Sequence, residues 1–353
     1  MVDLINDYIE PTRLTGMIRT ALGDLQINQH KLARWLPNVN LDDVVYKYNK
    51  GQQGLPEAAV YRAYDAESRI GRREGISEVM GSLPPISEKM VLNEYERLRL
   101  RKLNDDALLP FIARDARRLA LNIGARLELA RGDAIFNGQV TLGGIDGEDV
   151  KQTVSFGRSG SHAVTASTLW SDHDDSTPID DLMSWAQTYT DDTGEEPGVI
   201  LMPKAVFFHL QQNAQIKGRT WPSAATTDAS LPTASVQQVN DTLAGMGLPR
   251  IELYDAKVKV EGVATRITPA TKIALLPTPG NPVGNAATDL GATYLGTTAE
   301  SLEPEYGLAG QEAGVVAAQW KTKDPVRVWT HAAAIALPVL ATPDLTFVAT
   351  VAA

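Results

Sequence analysis

The densest set of side chains able to do chemistry is Asp172-His173-Asp174-Asp175, with Asp180 and Asp181 close behind. Carboxylate oxygens and an imidazole this close together are donor types that can hold a divalent cation, and a held cation could activate water for hydrolysis. The spacing matches no calcium loop, because the central glycine and closing glutamate are missing. The plainer reading is a solvated loop that ends in a helix cap at Ser176 or Thr177. A second acidic run, Asp191-Asp192-Thr193-Gly194-Glu195-Glu196, reads as a solvated turn before a strand at Val199. His30, His162, His209 and His331 are scattered, and no HExxH, GxSxG or Walker pattern is present. Gly143-Gly144 and the stretch Gly157 to Gly160 could suggest a phosphate cradle. Neither runs from strand to helix with a lysine in place, so both read as turns. The six tryptophans are too dispersed for a stacking platform. The expectation is a chain with no catalytic, cofactor-binding or metal site. A metal-dependent hydrolase built on the acidic cluster is kept as the enzymatic alternative.

Charge and composition narrow the classes further. The chain has 353 residues and a formal net charge of −10, from 33 basic and 43 acidic side chains. A protein that grips DNA gains from displaced counterions and carries a basic patch. The densest basic stretch here, Arg97 to Lys102, also reads as one face of a helix, so contact with DNA is expected to be weak and without sequence preference. The absence of cysteine excludes disulfides, thiolate zinc sites, iron–sulfur clusters and cysteine nucleophiles, and fits assembly in a reducing cytoplasm. No apolar run approaches the length of a bilayer span, and Met1-Val2-Asp3-Leu4 lacks the basic start and apolar core of a signal peptide. A soluble protein with no membrane partner is expected.

The elements that must position these groups follow from periodicity. Residues 1–45 read as an extended arm with short helical pieces. Leu14, Met17, Ile18, Ala21 and Leu22 recur at helical spacing until Gly23. Residues 44–92 read as a two-stranded projecting loop with strands at 44–48, 60–64 and 76–80 and a charged tip, Arg72-Arg73-Glu74. The strongest helical signal follows, started by Asn104, Asp105 or Asp106. Its apolar stripe is Leu108, Ile112, Ala116, Leu119, Ile123, Leu127 and Ala130, and Arg114, Asp115, Arg117, Arg118, Arg126, Glu128 and Arg131 lie on the opposite face. Gly132 and Gly138 bracket its exit. Strands are expected at 140–142, 154–156, 199–202, 251–254, 257–260 and 273–276, with helices at 178–190, 204–213 and 236–246. Residues 217–235 and 277–289 read as loops. Val326 and Val328, then Leu345, Phe347, Ala349 and Val351, alternate as strands.

Taken in order, the parts are arm, projecting loop, long helix, mixed domain and returning C-terminal strands. Three stretches carry a specific likeness: Arg126-Leu127-Glu128-Leu129-Ala130-Arg131-Gly132-Asp133-Ala134-Ile135-Phe136-Asn137-Gly138; Met202-Pro203-Lys204-Ala205 opening a helix; and Val328-Trp329-Thr330-His331 through Leu337-Pro338-Val339-Leu340 to Pro343-Asp344. The chain resembles the tailed-bacteriophage major capsid proteins of the lambda-type major capsid protein E family, with the Hong Kong 97-type fold. The resemblance implies an α+β fold with an N-terminal arm (1–45), an extended loop (46–92), a peripheral domain with a spine helix (93–189), an axial domain (190–320) and C-terminal strands returning to the peripheral domain (321–353). It implies a structural protein of the virion, assembled in the host cytoplasm. Its shell would be icosahedral, built of hexamers and pentamers, and would enclose double-stranded DNA. A decoration protein, a scaffold and a portal are possible partners. An encapsulin-like compartment, which shares the fold, is the nearer alternative. Lysine–asparagine cross-linking is not expected. Lys89 is the only lysine between Gly51 and Leu100, and the last strands hold no asparagine.

On this reading the arm and the loop expose strand edges and apolar side chains that one subunit cannot satisfy alone. The expected inter-subunit contacts are Leu4, Ile5, Tyr8 and Ile9 on the arm, and Tyr61, Tyr64, Arg72, Arg73 and Glu74 on the loop.

Overall fold

The computed structural model describes residues 9–50, 77–100, 105–142, 152–221, 233–282, 285–308 and 313–353. The first helix, α1 (Pro11–Asn28), opens on a proline whose missing N–H and fixed φ suit the first helical position. Strands β1 (Asn38–Asn40), β2 (Val45–Lys50), β3 (Ser77–Ser82) and β4 (Pro85–Leu92) precede the short α2 (Glu94–Leu100). The spine helix α3 (Asp105–Asn137) stops where Gly138, at φ 66°, takes the left-handed conformation. Then come β5 (Gln139–Leu142), β6 (Gln152–Ser155), β7 (Ala163–Thr165) and α4 (Pro178–Thr193), the last closed by Gly194 at φ 78°. The fully buried β8 (Val199–Met202) feeds α5 (Lys204–Gln212) and α6 (Ala214–Thr220). Helix α7 (Val236–Ala244) starts with a capping box in which Ser235 and Gln238 satisfy each other's backbone N–H groups. Strands β9 (Arg250–Leu253), β10 (Lys257–Val260), β11 (Val263–Arg266), β12 (Lys272–Leu276) and β13 (Gly291–Gly296) lead to α8 (Ala299–Leu302). The chain closes with β14 (Val316–Lys323), β15 (Val326–Leu340) and β16 (Phe347–Thr350).

These elements form two compact units. One takes the described residues within 9–47, 80–155 and 280–340. Its five-stranded sheet runs β1-β13-β15-β14, with β4 also on β15. The 15-residue β15 organises it, pairing antiparallel with β14 over residues 326–333, with β4 over 328–335 and with β13 over 335–340. Helices α1 and α3 lie against this sheet. Ile112, Ala116, Leu119, Ile123 and Leu127 of α3 share one apolar cluster with Leu14, Ile18 and Leu22 of α1 and with Ala317, Ala332, Ala334 and Ala336 of β14 and β15. The small strand residues let the helices approach closely, and the burial of this stripe is the unit's main driving force. Thr15 adds a specific tie, donating to the Ala317 carbonyl at 3.2 Å and accepting from the Ala317 N–H at 3.0 Å.

The other unit takes the described residues within 48–79, 156–279 and 341–353. Its sheet has the order β7-β16-β12-β8-β9, with β8 parallel to β9, β16 parallel to β7, and β12 antiparallel to both of its neighbours. Trp170, Trp185 and Phe347 pack together beside it, with the two indole rings stacked at 5.9 Å.

The structure departs from the sequence reading in several places. Residues 11–28 are a continuous helix through Gly23 whose apolar face belongs to the core, so from Ile9 on the segment expected as an extended arm with short helical pieces is part of the first unit. Helix α3 continues through Gly132, and Glu128 and Arg131 are fully buried instead of facing solvent. Helix α6 occupies the start of the expected 217–235 loop. Strands β11, β13 and β14 were not anticipated. The C-terminal strands divide: β15 lies with the spine helix, whereas β16 joins the sheet of β8 and β12.

The burial of Glu128 and Arg131 has a clear reason. Arg131 Nη1 donates to Glu128 Oε2 at 3.1 Å, Nε to Thr293 Oγ1 at 2.9 Å and Nη2 to Asn38 Oδ1 at 2.6 Å. Glu128 Oε1 accepts the Leu32 N–H at 3.0 Å, and Thr293 Oγ1 donates on to the Leu36 carbonyl at 2.9 Å. Removing one partner would strand a charge without solvent. We expect Arg131→Met to destabilise the unassembled protein by about 3–5 kcal/mol, and Glu128→Leu with Arg131→Met to recover much of the loss. Chemical denaturation checks this, and a single variant as stable as the parent would count against it.

His30 packs beside this pair, only 8% exposed. Burial holds its imidazole pKa below the ordinary value; Glu128 pulls the other way and Arg131 adds to the lowering. The folded state thus favours the neutral ring, while the unfolded chain takes up a proton near 6.5. The resulting stability is present above that value and is lost as pH falls toward the folded pKa. The unfolding midpoint should drop between about pH 7.5 and pH 5.5, and drop less in His30→Gln. An equal drop in both proteins would assign the effect elsewhere.

Candidate assembly surfaces

The acidic cluster resolves into structural contacts within the second unit. Asp172 Oδ1 accepts the backbone N–H groups of Asp174 and Asp175 at 3.3 and 3.2 Å, which folds the loop on itself. Asp181 accepts the Trp170 indole N–H at 2.9 Å, and Asp180 accepts the Gln215 amide at 2.9 Å. Asp174 and Asp175 face solvent. His173 Nε2 lies 3.0 Å from His209 Nδ1, and burial, with the neighbouring His173 second, lowers the His209 pKa. Among the described residues, no group of three or more His, Cys, Asp or Glu side chains is placed to hold a metal ion. No described helix is long and apolar enough to cross a membrane.

The residue that organises this loop escaped the sequence reading. Asn213 is fully buried. Its amide donates to the carbonyls of His173 at 3.2 Å and Ser176 at 3.0 Å and to Ser176 Oγ at 2.9 Å. Its Oδ1 caps α6 by accepting from Gln215 and Ile216. An asparagine one residue before a helix was the available signal.

The acidic run at 191–196 is likewise structural in part. Asp192 Oδ2 lies 3.0 Å from Nε2 of the buried His162 and accepts from Ser161 Oγ at 3.2 Å. Thr193 is buried, and its hydroxyl accepts the Glu195 N–H at 3.2 Å.

Of the expected contact residues, Leu4, Ile5, Tyr8, Tyr61, Tyr64, Arg72, Arg73 and Glu74 lie outside the described residues. Ile9 is 5% exposed and packs in the apolar cluster of its own unit. The described surface offers others. Helix α2 is held by a reciprocal cap, with Asn93 Oδ1 accepting the Glu96 N–H at 2.8 Å and Glu96 Oε2 accepting the Asn93 N–H at 3.2 Å. It presents Tyr95, 69% exposed, and Leu98, 55% exposed, three residues apart and so on one side. In the second unit Phe208, on α5, is similarly exposed at 54%. Single exposed apolar residues are ordinary, but an exposed Tyr–Leu pair on one short capped helix is a contact-forming feature.

Asn213→Ala should therefore destabilise the protein by about 2–3 kcal/mol, because buried carbonyls lose their donor. Asp174→Ser with Asp175→Ser should change stability by less than about 0.5 kcal/mol. Thermal denaturation with and without magnesium or calcium checks both. A divalent-ion stabilisation lost in the double aspartate variant would reinstate a metal role.

The family model for phage major capsid protein E matches residues 44–351. A candidate capsid protein of a prophage from E. coli CFT073, solved by crystallography, superposes with a TM-score of 0.61 at 14% identity, covering 96% of this chain and 99% of that one. A phage-related protein from Bordetella bronchiseptica RB50 superposes with a TM-score of 0.60 at 13% identity, covering 98% and 99%. At such identities these structures establish the shared fold alone. No curated protein matches significantly by sequence. The family match spans nearly the whole chain, including the spine helix, the β14–β15 hairpin and β16, and the chain belongs to the phage major capsid protein E family, a structural protein of the phage capsid shell with the Hong Kong 97-type fold.

Proposed function

We propose that copies of this chain assemble, as pentamers and hexamers, into a closed icosahedral shell that encloses double-stranded DNA without binding its sequence, and that the protein carries no catalytic activity. The observation that carries this reading is the family match over residues 44–351, on a chain whose densest polar cluster is occupied with its own loop and caps. Assembly would take place in the host cytoplasm, with a decoration protein, scaffold and portal as partners. The net charge of −10 supports weak contact with packaged DNA, since like charge keeps the genome from adhering.

In this reading Leu4, Ile5 and Tyr8 reach a neighbouring subunit, as do Tyr61, Tyr64, Arg72, Arg73 and Glu74. Their support is sequence composition: apolar and charged side chains on segments with few local partners. Tyr95 and Leu98 of α2 are added to them on the strength of their exposure. Many modest contacts of this kind sum through multivalency.

The test is negative-stain microscopy of the purified protein, together with amide exchange before and after assembly. Closed particles with strong new protection at residues 1–8, 51–76 and 94–98 are expected, because a contact made only in the shell is protected only there. Particles filled with protein cargo would favour a compartment instead, and a monodisperse small species would sink the shell reading. Deleting residues 1–8 should leave the core intact and impair closure. Deleting residues 1–20 should unfold the first unit, because it removes Leu14 and Ile18, both fully buried.

A further inference from the structure

The β14–β15 hairpin ends in three cations, two on one face and one on the other, on an acidic chain. Lys321 and Lys323 lie on one face of β14, and Arg327 lies across from Thr322 on β15. All three are exposed, and none forms an ion pair among the described residues. The only carboxylate at the tip is Asp324. The pairing of β4 with β15 stops at Val328 and Leu92, so the tip extends beyond that strand and stands free of it.

A complementary surface lies elsewhere on the same unit. The turn formed by α8 and the 3-10 turn Pro304–Tyr306 carries Glu300, Glu303 and Glu305, whose charges together with burial raise the pKa of Tyr306. Glu303 and Glu305 are exposed, and Leu302, the last residue of α8, is 57% exposed. Glu300 acts on His331, which pairs with Ala318, and Lys323 lies roughly 15 Å further along the strand.

A shell made of one kind of chain needs heterologous contacts, in which a patch on one copy meets a different patch on the next. One sequence must then carry both halves. We propose that the cationic tip of the β14–β15 hairpin in one copy docks on the acidic turn at 300–306 of a second copy, with Leu302 covered at the centre and the charges around it. The inference rests on the shell reading above. DNA is the weaker partner for the tip, because three cations beside a carboxylate neutralise few phosphates, whereas the turn offers both opposite charge and an apolar anchor.

Charge swapping tests this. The hairpin variant Lys321→Glu, Lys323→Glu, Arg327→Glu and the turn variant Glu303→Lys, Glu305→Lys should each lower the yield of closed particles roughly tenfold in low salt. Combining all five substitutions should restore particles to within about twofold of the parent, since opposite charges again face one another. Circular dichroism verifies folding. Should a reversed variant misfold, the milder Lys321→Ser, Lys323→Ser and Glu303→Gln, Glu305→Gln pairs are read for a loss of salt sensitivity in assembly, which is expected if the contact exists. Parent shells alongside a hairpin variant that assembles normally would overturn this contact and leave the shell reading standing. The same holds for a hairpin variant whose shells form normally but retain less DNA, which would assign the tip to nucleic acid. A parent protein that never forms shells would overturn the shell reading and this contact with it.

Discussion

The first unit depends on one ion pair that water never reaches. Arg131 has three separate acceptors, and each belongs to a different part of the chain: Glu128 on the same helix, Asn38 on β1 and Thr293 on β13. Glu128 spends its second oxygen on the backbone of Leu32. The pair therefore fixes the register between the spine helix, the 3-10 turn at 31–34 and one end of the sheet. An apolar core alone tolerates sliding, because dispersion and burial are not directional. A guanidinium with fixed donor directions is less tolerant, and the penalty for an unmet charge in this environment is large.

The remainder of the unit is arranged around that constraint. The apolar stripe of α3 packs on alanines of β14 and β15, and the exchange of hydrogen bonds between Thr15 and Ala317 sets α1 on β14. Close approach recurs at Gly296, where an added Cβ would sit 2.8 Å from the Asp43 carbonyl oxygen. In the second unit the ordering element is again a single buried polar side chain, Asn213, which supplies donors to one loop and acceptors to one helix. In both units, burial supplies the drive and one satisfied polar hub supplies the geometry.

Much of this was legible in the sequence, for physical reasons. The stripe Leu108, Ile112, Ala116, Leu119, Ile123, Leu127 and Ala130 repeats at helical period; the five from Ile112 to Leu127 are buried, Ala130 is half-buried, and the side chain of Leu108 lies outside those described. The unbroken apolar run at 199–202 is a strand buried at every position. The reading failed where residue type and environment disagree. Glu128 and Arg131 look like solvent-facing residues, and only partners about 90 residues upstream and 160 residues downstream make their burial tolerable. Strands β13 and β14 were missed because glycine and alanine carry little strand propensity; their pairing with β15 decides their conformation. Helix α1 was cut short at Gly23, yet one glycine costs a helix only about 1 kcal/mol against alanine, less than the burial of its apolar face provides. Contact residues for assembly are the least legible, since their partners are not in the same subunit.

The order in which the chain is made matters for a fold wired in this way. The strand that organises the first sheet, β15, spans residues 326–340, and β16, which joins β7 to β12 in the second, spans 347–350. Each sheet is incomplete until a strand more than 300 residues into the chain has been made. The spine helix and α1 wait with their apolar faces uncovered until β14 and β15 are made. The first sheet is closed by pairings of high sequence separation, which form slowly and leave apolar surface open to aggregation until they do. A chain in which β15 has not yet paired has no completed first sheet to offer a neighbour.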